Sequence, residues 1–260
     1  MLIPFTKMHA QGNDFVFIDL IADPFEIMNP EALAKEICAR HFGVGADGLV
    51  LIEPASEADA RMIIFNSDGS RAEMCGSALR CVASLLFRKS NKDMLLIQTD
   101  SGIKTAEVEA GDIVVNLGKA NILHQDLKVE GFIGDLVDIG NPHFIIFCAD
   151  LEGDPHLRYG AMIENHPSFA ASVNVHFVKI LDRQHMRMKI WENAVGATLA
   201  CGTGAASSVF AGIGKNLLDP TVEVELPGGN VRIRYEQGSG DLYLIGDVFE
   251  VFTGIYPWKI

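Results

Sequence analysis

An α+β fold of two related halves is what this sequence predicts, and three observations carry that prediction. Many short β-like runs are interrupted by only a few helix-like ones, which argues against a doubly wound parallel sheet. A set of short motifs recurs in the same order about halfway along the chain. The 260 residues are 48% hydrophobic and 21% charged, so the chain has core material for one large domain or two small ones and is not disordered.

Taken in order, the β-like runs are Phe15–Asp19, Gly48–Glu53, Met62–Asn66, Leu95–Thr99 and Asp112–Leu117. Leu136–Ile139, Phe144–Phe147, Val173–Ile180 and Met186–Trp191 follow. Thr221–Leu226, Asn230–Glu236, Asp241–Gly246 and Asp247–Phe252 close the chain. Turn signals such as Asp68-Gly69, Gly111-Asp112, Pro227-Gly228-Gly229 and Gly240-Asp241 separate many of them. Helices are expected at Pro30–His41, which opens on proline and carries Leu33 and Ile37 on one stripe, and after Cys75 and Cys201.

The repeat supports the division into halves. Gly140-Asn141-Pro142-His143-Phe144 lies 128 residues after Gly12-Asn13-Asp14-Phe15 and echoes it. Cys201-Gly202-Thr203-Gly204 lies 126 residues after Cys75-Gly76-Ser77-Ala78. Asn66 and Glu192 each stand nine residues before the cysteine of their half. The expected halves are 1–118 and 119–260, related by a pseudo-two-fold axis, with a linker near Gly118–Glu130 and the last strand returning to the N-terminal half.

Charge and cysteine content exclude several classes. Net charge is −13 and no basic patch is visible, which disfavours a nucleic-acid partner. No apolar run reaches the roughly 18 residues of a membrane span, and the N-terminus lacks a signal-peptide pattern. Five cysteines without a CxxC pair suit neither a secreted disulfide scaffold nor a zinc site, and a reducing cytoplasm is expected. His9, His41, His124, His156, His166, His176 and His185 show no metal-ligand spacing and are read as structural or surface residues.

Cys75 and Cys201 carry the chemistry. Each precedes a glycine, a small hydroxyl residue and a helix-like run, which places each thiol at a helix N-terminus. There the peptide N–H groups and the macrodipole are expected to lower the thiol pKa, and the same N–H groups can hold a carboxylate. Two equivalent thiols suit two kinds of protein. A thiol–disulfide redox protein is one. A racemase is the other, because inverting a carbon needs one group to take a proton from one face and another to deliver one to the opposite face. A binding protein that has lost catalysis is a third reading.

The blocks MHAQGNDF, GVGADG, FNSDGSRAEMCG, GNPH, SVNVHFV and WENAVGATLACGTGA resemble, in order and over essentially the whole chain, the diaminopimelate epimerase family. That resemblance implies two halves, each a sheet wrapped around a central helix, with the active site between them. It implies a cofactor-independent amino-acid epimerase or racemase that uses neither pyridoxal phosphate nor a metal. It assigns Cys75 and Cys201 as the acid–base pair and His143 and Glu192 as the residues that orient the amino group. Gly76, Ser77, Gly202 and Thr203 match positions whose backbone holds the reacting carboxylate. Asn13, Asn66, Asn141 and Asn174 match substrate-binding asparagines.

The chain departs from the family pattern in several places. Glu192-Asn193 stands where the family has Glu-Arg, Gly48 stands for Gln, Ser77 for Asn, and Ala197 for Glu. The missing Arg would hold a distal carboxylate through paired charged hydrogen bonds. The sequence therefore predicts a free amino acid with a neutral or imidazole side chain, such as histidine, lying against Asn193. Diaminopimelate itself is the alternative. The expected partner is this small molecule, with a homodimer as the expected assembly.

Overall fold

The structure, a computed structural model, describes residues 1–259. It divides into two compact units, Met1–Val115 with the C-terminal segment from Asp247, and Asn116–Gly246.

In the first unit, strand Leu2–Ala10 lies antiparallel to both Asn13–Asp19 and Phe249–Pro257. Asn13–Asp19 runs parallel to Gly48–Glu53, which pairs antiparallel with Ala60–Asn66. Ala60–Asn66 is parallel to Met94–Thr99, and Gly102–Glu109 and Asp112–Lys119 continue antiparallel. The second unit repeats every one of these directions. Phe132–Asp138 lies antiparallel to Pro142–Phe147 and Asn121–Val129. Pro142–Phe147 is parallel to Asn174–Ile180, which is antiparallel to His185–Glu192. His185–Glu192 is parallel to Thr221–Leu226, and Gly229–Tyr235 and Asp241–Gly246 follow antiparallel. The motif repeat is thus a repeat of strand topology.

Four α-helices complete the described residues: α1 (Pro30–Ile37), α2 (Gly76–Phe87), α3 (Pro155–Glu164) and α4 (Gly202–Gly214). Each unit wraps its sheet around a central helix, α2 in the first and α4 in the second. Both are apolar or small nearly all round, as a helix enclosed on most sides must be. Ser208 within α4 satisfies its buried hydroxyl by donating to the Gly204 carbonyl at 2.7 Å. The outer helices cover separate cores. Val16, Leu33, Ile37, Leu49 and Phe65 pack together under α1, and Phe144, Ile146, Ile163, Val175 and Phe177 under α3.

The structure adds elements that the sequence pattern does not show. Leu2–Ala10 is a strand despite Pro4, because Ile3, Phe5 and Met8 all turn inward. Gly102–Glu109 buries only Ala106, so it carries no apolar alternation. The stretch expected as a linker holds the strand Asn121–Val129, mostly exposed and equally unpatterned. Helix α3 is hidden by Gly160, where a Cβ would meet the Trp191 side chain at 2.4 Å. Helix α1 ends at Ile37 rather than His41, because the chain folds back so closely that a Cβ at Gly43 would lie 2.3 Å from the Glu36 carbonyl.

Candidate active site

In the first unit, Cys75 is the N-cap of α2, and Gly76 and Ser77 form the buried start of the helix. The Asn13 amide donates to Cys75 Sγ at 3.6 Å, which ties the thiol to the strand after the first hairpin. That hairpin turns through Gln11 and Gly12, both with positive φ. Within the helix, Arg80 is 1% exposed. Its Nη2 donates to Gln11 Oε1 at 2.6 Å, and Gln11 Nε2 donates to Asp247 Oδ1 at 2.9 Å. Burial lowers the Arg80 pKa, and electrostatic coupling to Cys81, Cys75, Asp247 and Asp112 opposes that. Asn66 is exposed and shapes the turn that follows it, with its amide donating to Ser70 Oγ at 3.0 Å. Gly48 is a close-packing position, since a Cβ there would meet the Phe65 carbonyl at 2.6 Å and the Phe15 ring at 2.9 Å.

In the second unit, Cys201 caps α4 and accepts from the Gly204 N–H at 3.4 Å, with Thr203 Oγ1 at 3.6 Å. Gly202 packs under Leu244, leaving 2.6 Å to a would-be Cβ. Burial pushes the Cys201 thiol well above its usual range and the Glu192 carboxylate adds to this; Thr203 and Gly204 offset only part. The expectation that a helix N-terminus lowers this thiol pKa is therefore corrected. Cys201 is 4% exposed, and lost hydration outweighs the helix end.

Around Cys201 the buried polar groups form a directed chain. Asn141 Oδ1 can only accept, so His143 Nε2 carries a proton and donates to it at 3.0 Å. His143 Nδ1 then accepts from His176 Nε2 at 2.9 Å. Burial and the neighbouring His176 hold His143 well below its ordinary pKa, and burial brings His176 down to about 3. Both rings are neutral. Glu192 accepts from Thr198 Oγ1 at 2.6 Å. Asn174 donates to the Pro142 carbonyl at 3.0 Å and accepts from the Asn193 N–H at 3.1 Å, tying the GNPH loop to the Glu192–Asn193 corner.

A profile of the diaminopimelate epimerase family matches residues 5–123 and 136–249. A diaminopimelate epimerase of Methanothermobacter thermautotrophicus is 42% identical, covering 98% of this chain and 98% of its own. One from Pelotomaculum thermopropionicum is 39% identical over 98% of this chain and 99% of its own. The chain belongs to the diaminopimelate epimerase family. Among solved structures, a hydroxyproline epimerase from Agrobacterium vitis superposes with a TM-score of 0.75 at 15% identity, covering 98% of this chain and 92% of that one. A PhzF-family protein from Bacillus anthracis gives 0.73 at 16% identity, covering 98% and 99%. These distant likenesses show the same α+β fold.

As a member of this family the chain is an isomerase of the amino-acid racemase and epimerase kind, which sets aside thiol–disulfide exchange as the use of its cysteines. Three side chains at these sites were not legible as such in the sequence. His176, read as structural, hydrogen-bonds His143. Glu164 is buried and accepts from the Trp191 indole and the Ala194 N–H, each at 2.8 Å, which fixes the corner carrying Glu192 and Asn193. Ala194 there has a φ of 61°, a strained value for a residue with a Cβ. The only sequence signal for Arg80 is a charge inside an otherwise apolar and small helix.

Proposed function

We propose that the chain epimerises diaminopimelate at its α-carbon by proton exchange between Cys75 and Cys201, without an organic cofactor or metal. Support for the substrate comes from relatives of nearly equal length that carry this name at 36–42% identity. Support for the mechanism comes from one observation, a cysteine at the N-cap of the central helix in each unit. Burial and Glu192 keep Cys201 protonated, so it enters as the proton donor. Cys75 enters as the acceptor, and the reverse reaction exchanges the two roles. The N–H groups that open α2 at Gly76 and Ser77, and α4 at Gly202 and Thr203, suit the α-carboxylate and the charge that builds on it as the α-proton leaves. Glu192 attracts the α-ammonium, with His143 neutral beside it. Asn13, Asn66, Asn141 and Asn174 complete the polar surroundings.

A second reading keeps the reaction and changes the substrate to an amino acid with a neutral or imidazole side chain. Asn193 favours it, because an amide cannot supply the charge of the family's Arg to a distal carboxylate. Incubation in D₂O with LL-diaminopimelate, L-histidine and L-glutamine separates the two. The first reading expects the highest kcat/KM for α-proton exchange with diaminopimelate. Faster exchange of histidine or glutamine transfers the assignment to the second reading, and exchange of none of a broad amino-acid panel overturns both. Under the second reading, Asn193→Arg shifts the kcat/KM ratio toward diaminopimelate by about tenfold or more, the worth of one charged hydrogen bond.

A further inference from the structure

We infer that His143, His176 and Cys201 form a binding site for a borderline-soft divalent cation of the zinc class, and that a cation there removes Cys201 from proton transfer. The inhibitory half of this inference rests on Cys201 being an acid–base group in the proposed reaction, while the binding half stands on geometry alone. Among the described residues these three side chains are buried together, and their donor atoms all lie within 4.8 Å of one another.

The donor set is the first argument. Two imidazoles and one thiolate suit zinc, and three protein ligands leave a fourth position for water or an incoming carboxylate. At zinc–nitrogen bonds of about 2.0–2.1 Å, two tetrahedral nitrogens stand roughly 3.3–3.4 Å apart. His143 Nδ1 and His176 Nε2 are at 2.9 Å, so the rings need to part by only a few tenths of an ångström.

Proton placement is the second argument. Both rings are buried, and the hydrogen bond between them already presents a lone pair on His143 Nδ1. The His176 proton sits on Nε2, and Nδ1 of the same ring is buried with no hydrogen-bond partner. Moving that proton to Nδ1 exposes the Nε2 lone pair and breaks only the bond between the rings. Cys201 loses its thiol proton to solvent as its sulfur bonds the cation, and no electron is transferred.

The third argument is how the site is held open. A Cβ at residue 204 would meet His176 Cε1 at 2.3 Å, so the glycine lets the first turn of α4 close over the imidazole. The N–H of that glycine also bonds Cys201 Sγ, which fixes the sulfur at the same place.

Cobalt(II) makes the site visible. Titrating the metal-free protein with Co²⁺ is expected to give the strong visible bands of a tetrahedral ion and a thiolate charge-transfer band at one ion per chain. Cys201→Ser should abolish the charge-transfer band and Cys75→Ser should leave it intact. His176→Gln should weaken Co²⁺ and Zn²⁺ binding by at least about 100-fold, beyond the 10- to 100-fold typical of losing a supporting contact alone. Zn²⁺ should inhibit α-proton exchange reversibly with EDTA, and His176→Gln should relieve that inhibition by a similar factor. Absence of the charge-transfer band in the wild type, or its loss in Cys75→Ser, overturns the site. So does unchanged metal affinity in Cys201→Ser or in His176→Gln, with His176→Asn replacing the latter if it fails to fold. A normal cobalt spectrum in a protein without exchange activity supports the site and overturns only the catalytic reading.

Discussion

Cys75 and Cys201 open two buried helices that occupy equivalent places in two units of the same strand topology, yet their surroundings differ in charge. Within α2 stands Arg80, its guanidinium held by Gln11. Against α4 lie two neutral imidazoles and, beside the sulfur, a carboxylate that favours the protonated thiol. The residues responsible are those the repeat does not share. Arg80 stands opposite Ala206, Ala78 opposite Gly204, and Phe15 opposite His143. Repetition supplied two similar backbones and two helix ends, while divergence at a few buried positions gave the two thiols different surroundings. In the proposed reaction, where one thiol gives a proton while the other takes one, that difference makes Cys201 the resting donor.

The comparison breaks most visibly at the cysteines. Cys75→Ala and Cys201→Ala should each lower α-proton exchange in D₂O by about 10³-fold or more, within the range general acid–base groups contribute, while circular dichroism shows the fold intact. Full activity in either variant would mean that the two positions are not a catalytic pair.

Acid stability should distinguish the units next. Unfolded histidine takes up a proton below about pH 6.5, whereas His176 stays neutral in the fold down to about 3 and His143 is also held low. The unfolded state therefore binds more protons in this window, and native stability is full above pH 6.5 and falls as pH drops toward 3. The slope is about 1.4 kcal/mol per pH unit for each such ring. Urea unfolding at several pH values should show it, and His176→Gln should remove a share that Phe15→Leu in the first unit does not.

A smaller effect is expected from exchanging the small residues at the two helix starts. Gly204→Ala drives a methyl into the His176 ring and should cost about 1–3 kcal/mol. Ala78→Gly, at the matching position, should cost about 1 kcal/mol by loss of helix propensity alone. A melting temperature unchanged by Gly204→Ala would count against the close fit of His176 under α4.

The smallest expected effect sharpens the comparison from the other side. Electrostatic coupling to Cys75 favours the cationic form of Arg80, and the coupling is reciprocal, so Arg80 favours a Cys75 thiolate. Arg80→Met should slow alkylation of Cys75 by iodoacetamide about tenfold at fixed pH, with little change at Cys201. Unaltered labelling would make Arg80 a packing residue only.

Much of this was written in the sequence. Spacing alone revealed the repeat, and helix-start chemistry singled out Cys75 and Cys201, because Gly-rich helix caps and small-residue helices depend on local backbone geometry. Short interior strands such as Gly48–Glu53 were legible for the same reason, being continuous apolar runs. The outer strands Gly102–Glu109 and Asn121–Val129 were not, since exposed strands are held by ladder bonds to neighbours rather than by a buried face. Contacts distant in sequence were likewise invisible: His143 with His176 across a parallel strand pair, Arg80 with Gln11 across 69 residues, and Glu164 with the Asn193 corner. Most consequentially, the sequence placed both thiols at helix ends and so predicted both to be acidified. Only the tertiary structure decided that Cys201 is not, because the hydration a thiolate loses depends on what the whole chain packs around it.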